Sequence, residues 1–260
     1  MELVINNDKY YIPNKWNEVA LGCYMEFVKH YDEEAEEVQK QTVLLSAFTG
    51  APIDMLGSIK KKVLDKAVER LNELFIKPAN KDLNLIVNID GVDYGFHPNL
   101  ADLKLKEFVD LDNKLEKGWE AMDAVMSILY RPVVEQKKDK YKIEEYDFIS
   151  ANKRAEIFKK QMSVDTVNGA AAFFFEYRNR LHSDYEGLFK NNAAEDSTPQ
   201  GYKTDEEIFN ENYGWYQIIY NLAQGDILKY DLVLERTVDE VFNYIMYTTD
   251  LAHIQNKQNR

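Results

Sequence analysis

Apolar residues recur at three- and four-residue spacing along most of the chain, a pattern typical of amphipathic helices. The first predicted helix has one apolar face, made up of Leu21, Tyr24, Met25, Val28 and Tyr31. A second helix is predicted over roughly 36–49 and ends at Gly50. A third carries a core face between Val63 and Phe75 and stops before Pro78. The first third of the chain is therefore predicted to be mainly helical.

The same periodicity predicts helices in the rest of the chain, over roughly 104–116, 118–130, 150–162 and 164–190. The last of these contains Gly169 and three alanines, whose small size allows another element to approach closely. Two helices are predicted at the C-terminus. Each is opened by a Thr-x-x-Glu capping box, Thr204–Glu207 and Thr237–Glu240, in which both side chains bond backbone N–H groups.

Short alternating segments interrupt the helices and predict β-hairpins. Residues 2–12 flank the turn-prone Asn6-Asn7-Asp8, and residues 83–96 flank Asp90-Gly91, a pair that suits a type I′ turn. A minor hairpin is predicted between Val133-Val134 and 141–143. The predicted fold class is therefore mainly α with small β-hairpins (α+β), with a helical bundle-like core.

The N-terminal pattern recurs 84 residues later without a gap. This offset places Ile5 on Ile89, Tyr10 on Tyr94 and Leu21 on Leu105, with strand, turn and helix in the same order. A further offset of 133 places Val238 on Leu105 and Thr237 over Lys104, although no hairpin precedes this third copy. Either a β-hairpin-helix module is duplicated, or amphipathic helices resemble one another by chance.

Changes in composition along the chain suggest four segments. Residues 1–80 hold the first hairpin and its helices, and residues 81–190 hold the second hairpin and a helical region. The polar, turn-rich stretch 191–203 is predicted to be an exposed linker, and 204–260 to be a C-terminal helical segment. Together they are expected to form one or two compact domains.

Charge and cysteine content argue against some classes of function and indicate the cellular compartment. The chain has 32 Lys and Arg against 45 Asp and Glu, a net charge of −13 that repels phosphate backbones and anionic lipids. Direct nucleic-acid binding and membrane association are therefore not expected. Cys23 is the only cysteine, so a reducing compartment is expected. No secretion signal and no membrane span are predicted either.

The usual catalytic motifs are missing from the sequence. There is no Walker loop, no G-x-S-x-G and no metal-binding spacing among the four histidines. Two carboxylate pairs, Asp110/Asp112 and Glu144/Asp147, are the best candidates for a metal-dependent enzyme, although solvated charge at helix ends explains them as well. No catalytic residue, no cofactor and no metal are predicted, and the chain is expected not to be an enzyme.

Several stretches resemble morphogenesis proteins of tailed bacteriophages, especially those of the crAss-like group. They are YGWYQIIYNLAQGDILKY from Tyr213 to Tyr230, LYRPV from Leu129, GAAAFFFEYRNRL from Gly169, and Trp16 after the first strands. The resemblance implies a non-enzymatic virion component of the head-tail or tail, or a tail-assembly chaperone. Such a protein acts in the host cytoplasm on other phage structural proteins, and is in some cases built into the virion. No site residue is carried over.

Protein binding is therefore the predicted activity, with other phage structural proteins or a second copy of the chain as partner. Seventeen tyrosines exceed what a core normally requires, and tyrosine is favoured where surfaces meet. Trp16, Trp215 and Tyr216 are the candidate interface anchors, and core packing is the alternative role for these side chains. A cellular helical adaptor is the third alternative.

Overall fold

The computed structural model describes residues 2–77, 81–185 and 205–258, with side chains in the last stretch from 213 to 257. The predicted fold class is confirmed, because most of these residues are helical and the strands form two small antiparallel sheets. Contacts divide the chain into two compact units. The first unit comprises Met1–Pro98 and Asn113–Phe174, and the second comprises Asn99–Asp112 and Phe175–Arg260.

Both units are discontinuous in sequence, so their limits differ from the segment boundaries predicted after residues 80 and 190. Composition changes along the chain carry no information about which distant segments pack together. The predicted linker at 191–203 lies outside the described residues.

The first unit opens with the predicted N-terminal hairpin. Strands β1 (Glu2–Ile5) and β2 (Asp8–Tyr11) pair antiparallel. Asn6 and Asn7 connect them with φ values of 52° and 73°, which asparagine tolerates better than most residues. One face of the hairpin is buried, through Leu3, Ile5 and the following Ile12. The hairpin is thereby fixed to the core of the first unit.

Four helices follow in the first unit, where three were predicted. They are α1 (Leu21–His30), α2 (Glu37–Thr49), the short α3 (Ile53–Leu56) and α4 (Lys61–Ile76). Helix α2 ends as predicted at Gly50, whose φ of 73° lies in the left-handed region that favours glycine. Helix α4 buries most of its predicted apolar face against the core, through Leu64, Ala67, Val68, Leu71 and Leu74. Val63 and Phe75, also predicted on this face, are exposed.

The other two predicted hairpins are joined in one four-stranded sheet of the first unit. Its strands, in spatial order, are β3 (Ile86–Ile89), β4 (Val92–Phe96), β5 (Tyr130–Lys137) and β6 (Lys140–Ile143). The sequence predicted both hairpins but not the pairing of β4 with β5, because strands far apart in the chain leave no local signal of their pairing.

Close packing at the centre of this sheet depends on Gly95. A Cβ atom at this position would lie 2.5 Å from the ring of Tyr141 on β6. The Tyr141 hydroxyl donates to the carbonyl oxygen of Phe96 at 2.7 Å, and the backbone N–H of His97 donates to Leu129 at 2.8 Å. Strand β5 therefore extends the sheet at the β4 edge of the second hairpin, and the Tyr141 side chain of β6 packs over Gly95.

Four further helices are α5 (Leu105–Leu115), α6 (Met122–Leu129), α7 (Phe148–Gln161) and α8 (Val164–Asp184). The helix predicted at 118–130 is shorter than expected, because 118–121 form a 3-10 turn and Tyr130 begins β5. Arg131, the residue before Pro132, is biased towards an extended backbone, which limits how far the helix can continue.

The second unit contains helices α9 (Asp205–Leu222), α10 (Tyr230–Leu234) and α11 (Val238–Gln258). The capping box predicted at the start of α11 is confirmed. The Glu240 carboxylate accepts the Thr237 N–H at 3.1 Å, and the Thr237 hydroxyl accepts the Glu240 N–H at 3.3 Å. The other predicted capping residue, Thr204, lies outside the described residues.

The 84-residue repeat has a structural counterpart. The hairpin β1–β2, the 3-10 turn Trp16–Glu18 and α1 correspond in order to β3–β4, the 3-10 turn Leu100–Asp102 and α5. The offset also conserves strand register, since Glu2 faces Tyr11 as Ile86 faces Gly95. Equivalence of the two segments thus extends from sequence pattern to backbone structure. Their origin by duplication remains a prediction.

Each repeat ends in an antiparallel backbone bridge to the start of another helix. Ala20 pairs with Ser163 before α8, and Lys104 pairs with Thr237 before α11. The segments SVDTV from Ser163 and TVDEV from Thr237 are correspondingly similar. Helix α11 therefore corresponds to α8, and not to α5 as the 133-residue offset suggested.

The close approach predicted at Gly169 is present within the first unit, and it provides a test of the packing. A Cβ at Gly169 would clash with the carbonyl oxygen of Asp82, whereas nothing lies within 4 Å of a Cβ at Gly214. Both glycines are helical, where alanine is favoured by about 1 kcal/mol. We expect Gly169→Ala to lower the free energy of unfolding by about 1–3 kcal/mol and Gly214→Ala to raise it slightly, as measured by urea denaturation. Equal effects would contradict this packing.

The second unit contains an ion-pair group next to its bridge. Lys104 and Lys106 both donate to Glu235, and these hydrogen bonds lower the pKa of the Glu235 carboxyl. A carboxyl whose folded-state pKa lies below its ordinary value of 4.5 stabilises the fold above that pH, and this stabilisation is lost as the pH falls further.

We expect Glu235→Gln to reduce the acid dependence of stability of the second unit below about pH 4.5. The effect should stay under about 1 kcal/mol, because the pair is partly exposed and screened by solvent. Urea unfolding curves across this pH range provide the measurement. The matched control is Glu120→Gln, which replaces an exposed glutamate of the first unit. An unchanged pH profile in Glu235→Gln would refute the assignment.

Candidate functional site

Trp16, the first predicted anchor, packs inside the first unit. Its half-buried ring meets Phe75 at 5.2 Å and Tyr24 at 5.9 Å, both edge to face. The indole N–H donates to the carbonyl oxygen of Lys77 at 3.3 Å. The side chain thus contributes to a cluster of aromatic rings beside the core.

Trp215, the second predicted anchor, has the same kind of environment in the second unit. Its ring stacks on Phe242 with an interplanar angle of 6° and meets Phe108 edge to face at 5.7 Å. Its indole N–H donates to Asp112 at 3.1 Å. The ring therefore joins α9 to α5 and α11 within this unit.

Tyr216, the third predicted anchor, is 54% exposed. It belongs to a row on one face of α9 in which the spacing of three and four residues aligns exposed tyrosines. The members of this row are Tyr213, Tyr216 and Tyr220. Of the three anchors predicted from sequence, Tyr216 is the one whose ring is presented to solvent.

Tyr230 links this row to the start of α10. Its ring meets that of Tyr216 at 5.7 Å. The hydrogen bond with Tyr216, together with a smaller effect of burial, raises the pKa of Tyr230 to about 12. The Tyr220 hydroxyl lies close to Gly225, at the turn that follows α9. Side-chain contacts therefore connect α9 with the segment after it.

Large aliphatic side chains are also exposed in the segment that follows the tyrosines. Their exposed fractions are 70% for Ile227, 85% for Leu228 and 64% for Leu232. The Asp226 carboxylate accepts the N–H of Leu228 at 3.0 Å and caps the 3-10 turn that presents the first two. We name this set of exposed residues on α9, the 3-10 turn Ile227–Lys229 and α10 the tyrosine-leucine surface. Its members are Tyr213, Tyr216, Tyr220, Ile227, Leu228 and Leu232.

Asp112, one of the carboxylates considered for a metal site, has a structural role in the second unit. It accepts hydrogen bonds from Arg178 at 2.9 Å and from Trp215 at 3.1 Å. Its side chain is 19% exposed, so these contacts replace much of its hydration. Asp110 is half-buried on the same helix. Among the residues that the structure describes, these two carboxylates do not form a group with a third potential metal ligand.

The second carboxylate pair is also engaged, within the first unit. Glu144 pairs at 3.1 Å with Arg154, whose side chain is 6% exposed and which also donates to the carbonyl oxygen of Ser127. Asp147 caps α7 by accepting the N–H of Ser150 at 2.8 Å, and this hydrogen bond lowers the pKa of the Asp147 carboxyl. Both carboxylates thus stabilise local structure.

The described residues contain no group of three or more His, Cys, Asp or Glu side chains that could hold a metal ion. No helix within these ranges combines the length and the apolar character that crossing a bilayer requires.

The first unit also has an open groove of about 680 Å³ between α1, α2 and α7. Small side chains line its floor, among them Gly22, whose added Cβ would lie 2.7 Å from the carbonyl oxygen of Lys159. Glu26 on its rim pairs with His30 at 3.3 Å and with Lys159 at 3.6 Å. Burial raises the pKa of the Cys23 thiol, which favours its protonated form. The Glu26 carboxylate at the groove is therefore in contact with two neighbouring side chains.

Comparisons with known proteins add no functional assignment. No protein-family model, no curated protein and no solved structure matches the chain.

The aliphatic part of the tyrosine-leucine surface was not predicted from sequence, nor was a second apolar row on α11. Periodicity predicts a core face on that helix made up of Val238, Val241, Phe242, Ile245, Thr249 and Ala252. The first three are buried, Ile245 and Thr249 are partly buried, and Ala252 is exposed. A second row, at Tyr244, Tyr247, Leu251 and Ile254, has the same spacing and lies on roughly the opposite face. Two apolar rows on opposite faces of one helix could have predicted that one of the rows is exposed to solvent.

Replacing Asp112 tests whether its carboxylate holds the second unit together. We expect Asp112→Ala to lower the free energy of unfolding by about 1–3 kcal/mol, because the Arg178 guanidinium and the Trp215 indole N–H lose their acceptor. Denaturant unfolding followed by Trp fluorescence measures this change. Asp110→Asn serves as the neighbouring control. A saturable rise in melting temperature with a divalent ion, abolished by Asp112→Asn, would instead support a metal site.

Proposed function

We propose that the chain is a non-enzymatic, protein-binding component of tailed-phage virion morphogenesis. It serves either as a head-tail or tail structural protein or as a tail-assembly chaperone. Its partners are other phage structural proteins, which it meets in the host cytoplasm during assembly. In this proposal the tyrosine-leucine surface is the site of contact.

The observation that carries this proposal is the concentration of exposed apolar side chains on α9, on the 3-10 turn after it and on α10. Single exposed hydrophobic residues are common, but a high density of them in one segment is a feature of interaction sites. Here three tyrosines and three aliphatic residues, each at least 49% exposed, lie within 20 residues of sequence. Contact of these apolar groups with water is unfavourable, and a bound partner would remove them from water.

The composition of the surface fits a protein partner. Tyrosine combines an apolar ring with a hydroxyl that can bond across an interface, and it is enriched at binding hot spots. Leu228 and Leu232 add aliphatic area without charge. The charges of nearby Asp226 and Lys229 provide a polar rim.

The resemblance to phage morphogenesis proteins supports the choice of partner class. Its longest segment, Tyr213–Tyr230, contains five of the six members of the tyrosine-leucine surface. The stretch on which the resemblance mainly rests is therefore also the stretch that presents apolar side chains to solvent.

The proposal is tested by co-expressing the chain with the structural proteins encoded beside its gene and isolating complexes through a tag. We expect at least one head-tail or tail protein to bind the wild-type chain. Leu232→Glu should weaken this binding at least about tenfold, because a carboxylate replaces a large apolar contact. Titration of the purified proteins gives the affinities.

A matched control is Val134→Glu, since Val134 in the first unit and Leu232 in the second are both 64% exposed. This variant should bind as the wild type does. Equal weakening by both variants would point to a general effect of charge. Failure of every neighbouring structural protein to bind would reject the proposal.

A further inference from the structure

Helix α11 presents an apolar row to solvent on the face away from the core of its own unit. Val238, Val241 and Phe242 are buried on the inner side. The outer row is 56% exposed at Tyr244, 66% at Tyr247, 38% at Leu251 and 55% at Ile254. This row, which we name the outer row, is therefore separate from the packing that fixes the helix.

The end of α11 is exposed on every side. Each residue from Asp250 to Lys257 is exposed. This includes Ala252 and His253, which lie on the same side of the helix as Val238 and Phe242. These eight residues form about two helical turns. Leu251 and Ile254 lie there on a stretch that nothing in the described part of the chain covers.

The spacing of the outer row is that of a coiled-coil seam. Tyr244, Tyr247, Leu251 and Ile254 follow one another at intervals of three, four and three residues, which are alternating a and d positions. A seam of this kind fits a facing helix with the same repeat. The occupant is therefore expected to be another helix.

We propose that this helix is α11 of a second copy of the chain, and that the two helices pack antiparallel around Tyr247, Leu251 and Ile254 of the outer rows. Leu251 of each copy then faces Ile254 of the other, giving two aliphatic layers. The Tyr247 rings lie at the ends of these layers, where their hydroxyls reach water. This inference does not depend on the phage assignment.

Charged residues beside the row favour this alignment. Asp250 and Lys257 both occupy the g position on one flank of the seam. The antiparallel register that places Leu251 opposite Ile254 brings Asp250 beside Lys257 of the second copy, and the twofold axis makes this contact twice. Thr248 and Gln255 on the other flank meet one another and are uncharged.

A parallel pair lacks this complementarity. Asp250 would then lie beside Gln255 of the second copy, and Lys257 would find no acidic partner in the described seam. Like residues would also stack on one another, including both pairs of tyrosines. The net charge of −13 on each copy opposes association, so specific ion pairs and the aliphatic layers must overcome it. Two turns of helix predict a weak, concentration-dependent dimer.

Sedimentation velocity of the purified full chain over a range of concentrations tests this proposal. We expect a monomer-dimer equilibrium in the wild type and at least about tenfold weaker association in Leu251→Asp, which removes two buried contacts per dimer. Leu228→Asp on the tyrosine-leucine surface is the control and should dimerise as the wild type does. Circular dichroism checks that each variant is folded.

Charge exchange tests the orientation. Asp250→Lys and Lys257→Asp should each weaken self-association, because each creates two like-charge contacts. A mixture of these two variants should associate preferentially as a heterodimer, and the double variant should recover wild-type dimerisation. Unchanged association in the single variants would overturn the antiparallel arrangement. A wild-type chain that stays monomeric at every concentration would overturn the proposal itself, whether or not the chain binds phage proteins.

Discussion

Two pairs of helices in this protein begin from a shared antiparallel backbone bridge. In the first unit, Leu21 donates to Met162 at 2.8 Å and Val164 donates to Val19 at 2.9 Å. In the second unit, Leu105 donates to Arg236 at 2.8 Å and Val238 donates to Leu103 at 3.0 Å. The first N–H groups of a helix lack partners within the helix, and here each helix start supplies acceptors for the other.

These hydrogen bonds also fix the position of each helix start relative to its partner. This position in turn affects which side chains of the two helices face the core of the unit. Ser163 and Thr237 complete the arrangement, since their hydroxyls accept the N–H groups of Thr166 and Glu240, each at 3.3 Å. In the second unit the bridge fixes α5 and α11, between which Phe108 and Phe242 meet at 6.0 Å. The outward direction of the remaining faces follows from the same constraint.

Local patterns in the sequence predicted much of this fold. The turns at Asn6-Asn7 and Asp90-Gly91, the end of α2 at Gly50 and the capping box at Thr237 all depend on chemistry within a few residues. The pairing of β4 with β5 and the backbone bridges depend on residues far apart in the chain, whose pattern does not identify a partner. The candidate site shows the same limit. Periodicity identifies an apolar face, but distant segments decide whether that face is buried. On α9, Trp215 packs against Phe108 and Phe242, whereas the next residue, Tyr216, is exposed.

The two equivalent hairpins differ in whether a third strand pairs with them. Strand β5 pairs with β4, whereas β1 and β2 form a two-stranded sheet. Tyr11 stands at the position of Gly95, so its side chain occupies the space across which the Tyr141 ring lies in the second hairpin. Pro13 stands at the position of His97 and has no N–H to donate to a further strand. Lys9 adds a charge to the same edge. An open strand edge is a template for pairing with other chains, and these residues disfavour such pairing at the β2 edge of the N-terminal hairpin.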